Sequence, residues 1–275
     1  MRINNANSYF KQVFGTKIYK VGISLNVTCP NRDGTVGSGG CSFCSAGGSG
    51  EFSEDKSLSI TEQLENGIAG LKRKCGEEVR YIAYFQSFTN TYCAPEYLRK
   101  VLEEAMTHTK VVGVSIATRP DCLPDSILNV LQEFVEKYGD DKPRLFVELG
   151  LQTSDDKTAE HFNRGYATCV YDEAVIKLHK IGANVITHVI FGLPDETQEI
   201  MMRTVRHVCE VGTDGVKFTC LYVLKDTEYG TSKIKNINPK TNEVLFGFTA
   251  NDVTASISIS ANRTVTIRCI NLSCI

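Results

Sequence analysis

No stretch of this chain approaches the run of about 18 apolar residues that a membrane-spanning helix requires, which excludes a helical integral membrane protein. The opening residues, MRINNANSYFKQVFGTK, lack the continuous apolar segment of a secretory signal. The chain is therefore expected to be soluble and cytoplasmic, with no membrane partner. Charge of one sign is also missing: 30 Lys and Arg face 32 Asp and Glu, a formal net charge of −2, and the pI is near 6.2. This balance gives no broad electrostatic footprint for nucleic acid, although a local basic patch does not show in the sum.

What remains is an ordinary globular composition, 42% hydrophobic and 23% charged. A length of 275 residues suits two domains, or one barrel-like α/β domain of about 200 to 250 residues. Cysteine is abundant: eleven residues, an odd number, which in a chain without a signal segment read as metal ligands and reduced core thiols rather than a disulfide framework.

From Lys20 onward, short runs rich in β-branched and aromatic residues alternate with segments of helical period. The spacing predicts strands over 20–26, 80–86, 111–118, 144–152, 184–192 and 215–223. Between them, ITEQLENGIAGLKRK, PEYLRKVLEEAM, PDSILNVLQEFVEKY, DEAVIKLHKIG and DETQEIMMRTVRHVCEVG predict helices. Pro95 and Pro124 sit at tolerated first-turn positions, and Gly182 and Gly212 at helix ends. Six units of about 34 residues each make parallel βα repeats, curled into a partial (βα)6 barrel or an open twisted sheet. Either places chemistry at the C-terminal strand ends. The chain is expected to divide into an N-terminal extension over 1–19, a core over 20–229 and a divergent tail over 230–275. The tail is polar, with β-like alternations such as SISIS and TVTIRCI, and reads as a hairpin laid on the sheet or a poorly ordered segment.

The stretch CPNRDGTVGSGGCSFC, following the first strand, spaces Cys29, Cys41 and Cys44 as C-x11-C-x2-C, with glycines that let the backbone wrap closely around a ligand. A structural zinc site normally closes four ligands from two C-x2-C knuckles. Here the second knuckle and any nearby histidine are missing. Three thiolates fit a [4Fe-4S] cluster that leaves one iron open to a substrate or cofactor. The alternative is a zinc site completed by a residue such as Cys93, in a non-catalytic binding module stabilised by its metal.

Together with GSGEF, YFQSFTNTY, SIATRPDCLPD, VELGLQT, NRGY and THVIFGLPDET, that loop resembles the radical S-adenosylmethionine (SAM) superfamily, in particular its YhcC-like group, related to the catalytic subunit of Elongator. The resemblance runs over about residues 5 to 229. It implies a partial TIM-like barrel in which Cys29, Cys41 and Cys44 hold three irons and SAM chelates the fourth. It implies that Phe43 lies by the adenine, and that Gln86 and Asn90 replace the Gly-Gly-Glu-like segment meeting the SAM amino group. It further places Glu148 at the end of strand four, with Gln152 close behind, as a ribose-binding residue, and Gly192 in the adenine-contacting turn. The activity implied is reductive cleavage of SAM to methionine and a 5′-deoxyadenosyl radical, which abstracts hydrogen from a substrate. By analogy with Elongator that substrate is RNA, tRNA being the candidate, and a low-potential electron donor is a partner. Relatives of this kind continue with helical residues where this chain has its β-like tail.

Structural roles compete at several of these positions. Glu148 could be a buried acid paired with Arg119 or Arg164. Arg119 is either an anchor for the SAM carboxylate or a substrate anion, or one half of a salt bridge. His188 is either a hydrogen-bonded core histidine or a group on the active face. Cys75, Cys122, Cys169, Cys209 and Cys220 read as small buried hydrophobes. Cys269 and Cys274 in the tail could bind adventitious metal, and Tyr92, Lys217 and Lys225 are weaker candidates for substrate contact.

Overall fold

The computed structural model describes residues 5–50, 53–75, 78–224, 226–231, 245–250, 253–258 and 265–267. Helix α1 (Ala6–Phe14) precedes strand β1 (Ile18–Ile23), and α2 (Ile60–Cys75) leads into β2 (Arg80–Phe85). Next come α3 (Pro95–Thr107), β3 (Val111–Thr118), α4 (Asp125–Tyr138), β4 (Leu145–Gln152), the short α5 (Asp156–His161), α6 (Thr168–Lys180), β5 (Asn184–Phe191), α7 (Gln198–Val211), β6 (Gly215–Cys220) and α8 (Glu228–Thr231). Strands β1 to β6 lie side by side in chain order, each parallel to the next. This is the six-unit partial barrel that the alternation of patterns predicts.

Several helices form where their ends are chemically closed. Pro95 occupies the first turn of α3, where its missing N–H costs nothing. Thr197 caps α7 by accepting from Ile200 N, and Gly212 at φ 92° ends it. Helix α1 was not anticipated, because its few apolar positions lie in a polar stretch. Its signals were the caps: Asn5 accepts from Ser8 N, and Gly15 at φ 74° closes the far end. Strand β1 begins at Ile18, earlier than the expected Lys20, because Ile18 and Tyr19 already pair with Arg80 and Tyr81.

Side chains alternate between the sheet's two faces. Val21, Ile23, Ala83, Phe85, Val114, Ile116, Val147, Leu149, Val185, Val189, Val216 and Phe218 belong to one core cluster, which also takes in residues of α2, α3, α4, α6 and α7. On the opposite, inner face the lowest layer is apolar too: Ile18, Ile82, Phe146 and Ile186 enclose Phe10 of α1. Phe10 meets Phe146 edge to face with ring centres 5.6 Å apart. Helix α1 thus seals the N-terminal end of the barrel and leaves the other end for chemistry.

In the tail, β7 (Leu245–Ala250) and β8 (Val253–Ser258) form an antiparallel hairpin as their own two-stranded sheet. The third strand, β9 (Val265–Ile267), joins the main sheet antiparallel to β6. Lys225, Cys269 and Cys274 lie outside the described residues.

Candidate active site

The cysteine loop leaves the C-terminal end of β1 and folds back on itself. Arg32 N donates to Cys29 O at 2.8 Å, Gly40 N to Asn31 O at 2.8 Å and Cys44 N to Cys41 O at 2.8 Å. Gly34, Gly39 and Gly40 take φ of 92°, 83° and 87°, backbone that a side chain would strain. Gly37 is required for a different reason: a Cβ there would stand 2.4 Å from Asn31 Oδ1. Buried Asn31 bridges the loop to the NRGY segment, donating to Cys41 Sγ at 3.6 Å and to the carbonyl of Asn163. Arg32 donates to the carbonyls of Cys44 and Ser45. From the far side, Tyr229 N donates to Ser42 O at 3.0 Å, and Ser42 Oγ to Glu228 Oε2 at 2.6 Å.

This donor set suits a metal cluster. Burial, then the neighbouring Cys44 and Cys29 charges, push the Cys41 thiol up to about 12, against the pull of Arg119. A thiol held protonated in this way becomes a thiolate when a cation binds it. Cys93, the alternative fourth zinc ligand, instead packs against the main core and bonds to Asn90 O at 3.5 Å. Among the described residues, no three His, Cys, Asp or Glu side chains are spaced to hold a single metal ion.

The remaining candidates ring the same end of the barrel. Gln86 follows β2 and donates to Ser49 O at 2.7 Å. Buried Asn90 ties β2 to β3, its amide donating to Phe85 O at 3.0 Å and Ala117 O at 2.9 Å, while its Oδ1 has no partner among the described residues. Arg119 makes a bidentate pair with Asp121, at 2.9 and 2.6 Å, and lies over the Tyr166 ring. Gln152 ends β4 at φ 64°, and Gly192 follows β5 at φ 81°. Phe43 packs on Phe162, ring centres 5.3 Å apart, in a small apolar cluster with Leu193 and Tyr229.

Glu148 differs from expectation in both place and partners. It lies in the middle of β4, not at its end, and is completely buried. Neither arginine reaches it: Arg119 is taken by Asp121, and buried Arg164 by Asp156 at 2.7 Å and by the carbonyls of Leu151, Thr153 and Tyr166. Both arginines sit in loops, whereas Glu148 faces the barrel interior. There Lys20 of β1 donates to Oε1, Ser115 of β3 donates to Oε1 at 2.5 Å, and His188 of β5 donates to Oε2 at 2.5 Å. Lys217 of β6 stands 4.0 Å from Oε2, and both lysines lie over the Tyr84 ring of β2, at 4.8 and 5.5 Å from its centre.

The charge states follow from this arrangement. Burial opposes the Glu148 charge, but Lys20 and the His188 hydrogen bond outweigh it and hold the carboxyl well below its ordinary value. Burial, then the Lys217 charge, lowers His188, so the imidazole is neutral near pH 7. Sequence reasoning found Glu148 and His188 but missed Lys20, Tyr84 and Ser115. The available signal was a polar residue of inward parity in every strand.

Of the cysteines read as buried hydrophobes, Cys122 is buried, but Cys169 is exposed on α6 and Cys209 and Cys220 are only partly covered. Tyr92 bonds to Thr35 of the cysteine loop at 2.9 Å.

The family model of the Radical SAM superfamily matches residues 25–208. YtqA of Bacillus subtilis is 42% identical over 226 residues, covering 82% of this chain and 68% of that protein. YhcC of Escherichia coli K12 is 37% identical over 212 residues, covering 77% and 66%. The chain thus spans about two thirds of the length of these relatives. A probable threonylcarbamoyladenosine tRNA methylthiotransferase of Methanocaldococcus jannaschii is 29% identical over 113 residues, 40% of this chain and 26% of that one. Among solved structures, the archaeal Elp3 of Methanocaldococcus infernus superposes with a TM-score of 0.56 at 17% identity, covering 78% of this chain and 48% of its own. That likeness is one of fold.

Proposed function

The chain belongs to the radical SAM superfamily, in the YhcC-like group, and from that premise we propose that it cleaves SAM reductively at a cluster held by Cys29, Cys41 and Cys44. The superfamily's cofactors are a [4Fe-4S] cluster and SAM. When bound, the cluster supplies the low-potential electron that SAM cleavage requires. The observation that carries the reading is the three-cysteine loop, held at the C-terminal end of a six-stranded half-barrel by Asn31, Arg32 and the Ser42–Glu228 contact.

The chain's own residues bind, orient and exclude water. SAM is proposed to lie along the rim, with Phe43 and Gly192 toward the adenine, Gln86 and Asn90 toward the amino group, and Gln152 toward the ribose; Glu148, whose side chain has no open surface, is instead taken by Lys20, Ser115 and His188. The unpartnered Asn90 Oδ1 supports a polar contact at the amino group. Arg119, its charge fixed by Asp121, is proposed to supply positive potential near the thiolates. The substrate class proposed is tRNA, supported by the partial likeness to the tRNA methylthiotransferase, and the partner is a low-potential electron donor.

The test is direct. Protein reconstituted anaerobically with iron and sulfide, then given a strong reductant and SAM, releases 5′-deoxyadenosine slowly even without substrate. A cluster-loaded, reduced and SAM-bound sample that makes none overturns the proposal.

A further inference from the structure

The inner face of the barrel is built in layers two residues apart, as the strand period requires. Ile18, Ile82, Phe146 and Ile186 form the apolar plug over α1. Two residues further along the same strands stand Lys20, Tyr84, Glu148 and His188, joined by Ser115 of β3 and Lys217 of β6, one from each strand. Two residues beyond come Gly22, Gln86, Ala117, Gly150, Ile190 and Thr219, where Ser53 and Gln86 stand against Gly22 and Gln152 against Gly150. The polar layer forms a floor roughly 6 to 7 Å deeper along the strands than this next layer, below the strand ends that carry the cysteine loop.

The floor holds more positive than negative charge. Lys20 and Lys217 supply two ammonium groups, Lys217 held below its ordinary value by burial against the pull of Glu148, and Glu148 is the one carboxylate among its six residues. His188 is held neutral by burial and by Lys217. Burial, then the Glu148 charge, pushes the Tyr84 phenol well above its ordinary value. One positive charge is therefore uncompensated. It lies nearest Lys217: Lys20 is bonded to Glu148 and Ser115, but Lys217 Nζ has no hydrogen-bond acceptor among the described residues, only the 4.0 Å ion pair and the Tyr84 ring. The Lys20, His188 and Lys217 side chains keep 29%, 23% and 22% of their surface open, whereas Glu148 keeps none. Solvent, or a ligand, reaches the two lysines and His188 but not the acid.

We propose that this floor is a recognition site for the monoanionic end of a small organic substrate, a carboxylate, bound by Lys217 with Lys20 and His188 beside it and held beneath the SAM site. A largely buried ammonium with no acceptor among the described residues is costly, and a carboxylate would supply one. One uncompensated charge matches a monoanion; a phosphate dianion would bring one charge too many. The proposal rests on the radical SAM reading for its place in the reaction. It adds that a small carboxylic acid, as substrate or co-substrate, is positioned inside the barrel, whatever larger molecule meets the rim.

The probe is butyrate, titrated into the full chain, cluster-loaded and saturated with SAM, and followed by ligand-observed NMR. Butyrate should bind, and butyramide, its neutral isostere, and inorganic phosphate should bind at least tenfold more weakly. Lys217→Gln should weaken butyrate by about tenfold to a hundredfold, the range for losing a charged hydrogen-bond partner, and Lys217→Arg should restore most of it. Circular dichroism of both variants confirms that the fold is kept; if Lys217→Gln unfolds, the butyrate–butyramide comparison on the wild type decides alone. Equal binding of butyrate and butyramide, preference for phosphate, displacement of butyrate by SAM, or a folded Lys217→Gln that binds unchanged would overturn the proposal. Release of 5′-deoxyadenosine in the same samples is scored separately. Its presence without butyrate binding rejects the floor site alone, and butyrate binding without it rejects the SAM-cleavage reading alone.

Discussion

The two faces of the parallel sheet use the same strands for opposite ends. Glu148 and Leu149 are neighbours in β4, and both are fully buried. Leu149 faces the helices and joins an apolar core drawn from every unit. Glu148 faces inward and gathers Lys20, Ser115, His188 and Lys217 from four other strands. The outer face is stabilised by removing apolar surface from water. The inner face buries charge that compact folding alone would not select, since a buried ion pair rarely adds net stability over an apolar replacement. Stability is concentrated outside the sheet and chemistry inside it, which is why a half-barrel can change its substrate without losing its core.

The largest expected effect in that comparison comes from emptying the inner face. Glu148→Ala strands Lys20 and Lys217 without their counter-charge and should cost about 3 to 5 kcal/mol of unfolding free energy. Leu149→Ala leaves a cavity on the outer face and should cost about 2 to 4 kcal/mol. Chemical denaturation at two pH values separates the causes. Because the folded Glu148 is held below its ordinary value of 4.5, its stabilisation is present above that pH and lost as pH falls below it. The gap between Glu148→Ala and wild type should therefore narrow below about pH 4.5, while the Leu149→Ala gap stays constant. Two parallel gaps would contradict the charged inner layer.

His188 gives a smaller effect at milder pH. The folded protein holds it below its ordinary value of 6.5, so the unfolded chain takes up a proton first as pH falls through that value. The wild type loses stability there, and His188→Gln should lose less between pH 7 and 5.5 in the same denaturation series. Identical slopes would mean that His188 is not buried against the lysines.

Glu196 sharpens the contrast from the other side. Its buried Oε2 has no hydrogen-bond partner among the described residues, Oε1 accepts from Thr153 at 2.5 Å, and the Arg203 charge offsets only part of the burial. Burial pushes it up to about 7. Its stabilisation is present below the ordinary 4.5 and lost as pH rises through about 7. Glu196→Gln should match wild type in melting temperature near pH 4 and exceed it modestly at pH 8. A variant no more stable than wild type at pH 8 would show Glu196 to be ionised without penalty.

Much of the fold was legible because its local rules agree. The β-branched runs, the Pro95 and Gly212 boundaries and the regular unit length all point to the same six repeats. Helix α1 escaped because caps at Asn5 and Gly15 without a strong apolar period are a weak signal. The cysteine loop was legible because ligand spacing is local. The partners of Glu148 were not, because they depend on the register between parallel strands far apart in the chain: Tyr84 lies level with Ser115, and His188 with Lys217, while β1, β3 and β4 step by two residues. Nothing in a strand's own residues states that offset, so the sequence offers as alternative partners only loop arginines, which face elsewhere.

The central claim is that Cys29, Cys41 and Cys44 hold a cluster and not a lone ion, and metal content measured on anaerobically reconstituted protein tests it most directly. About four irons and four sulfides per chain, with a visible absorption that bleaches on reduction, are predicted for the wild type. Cys41→Ala should lose them while Cys93→Ala keeps them. One zinc per chain with no reducible chromophore, or iron loading that depends on Cys93, would contradict the account.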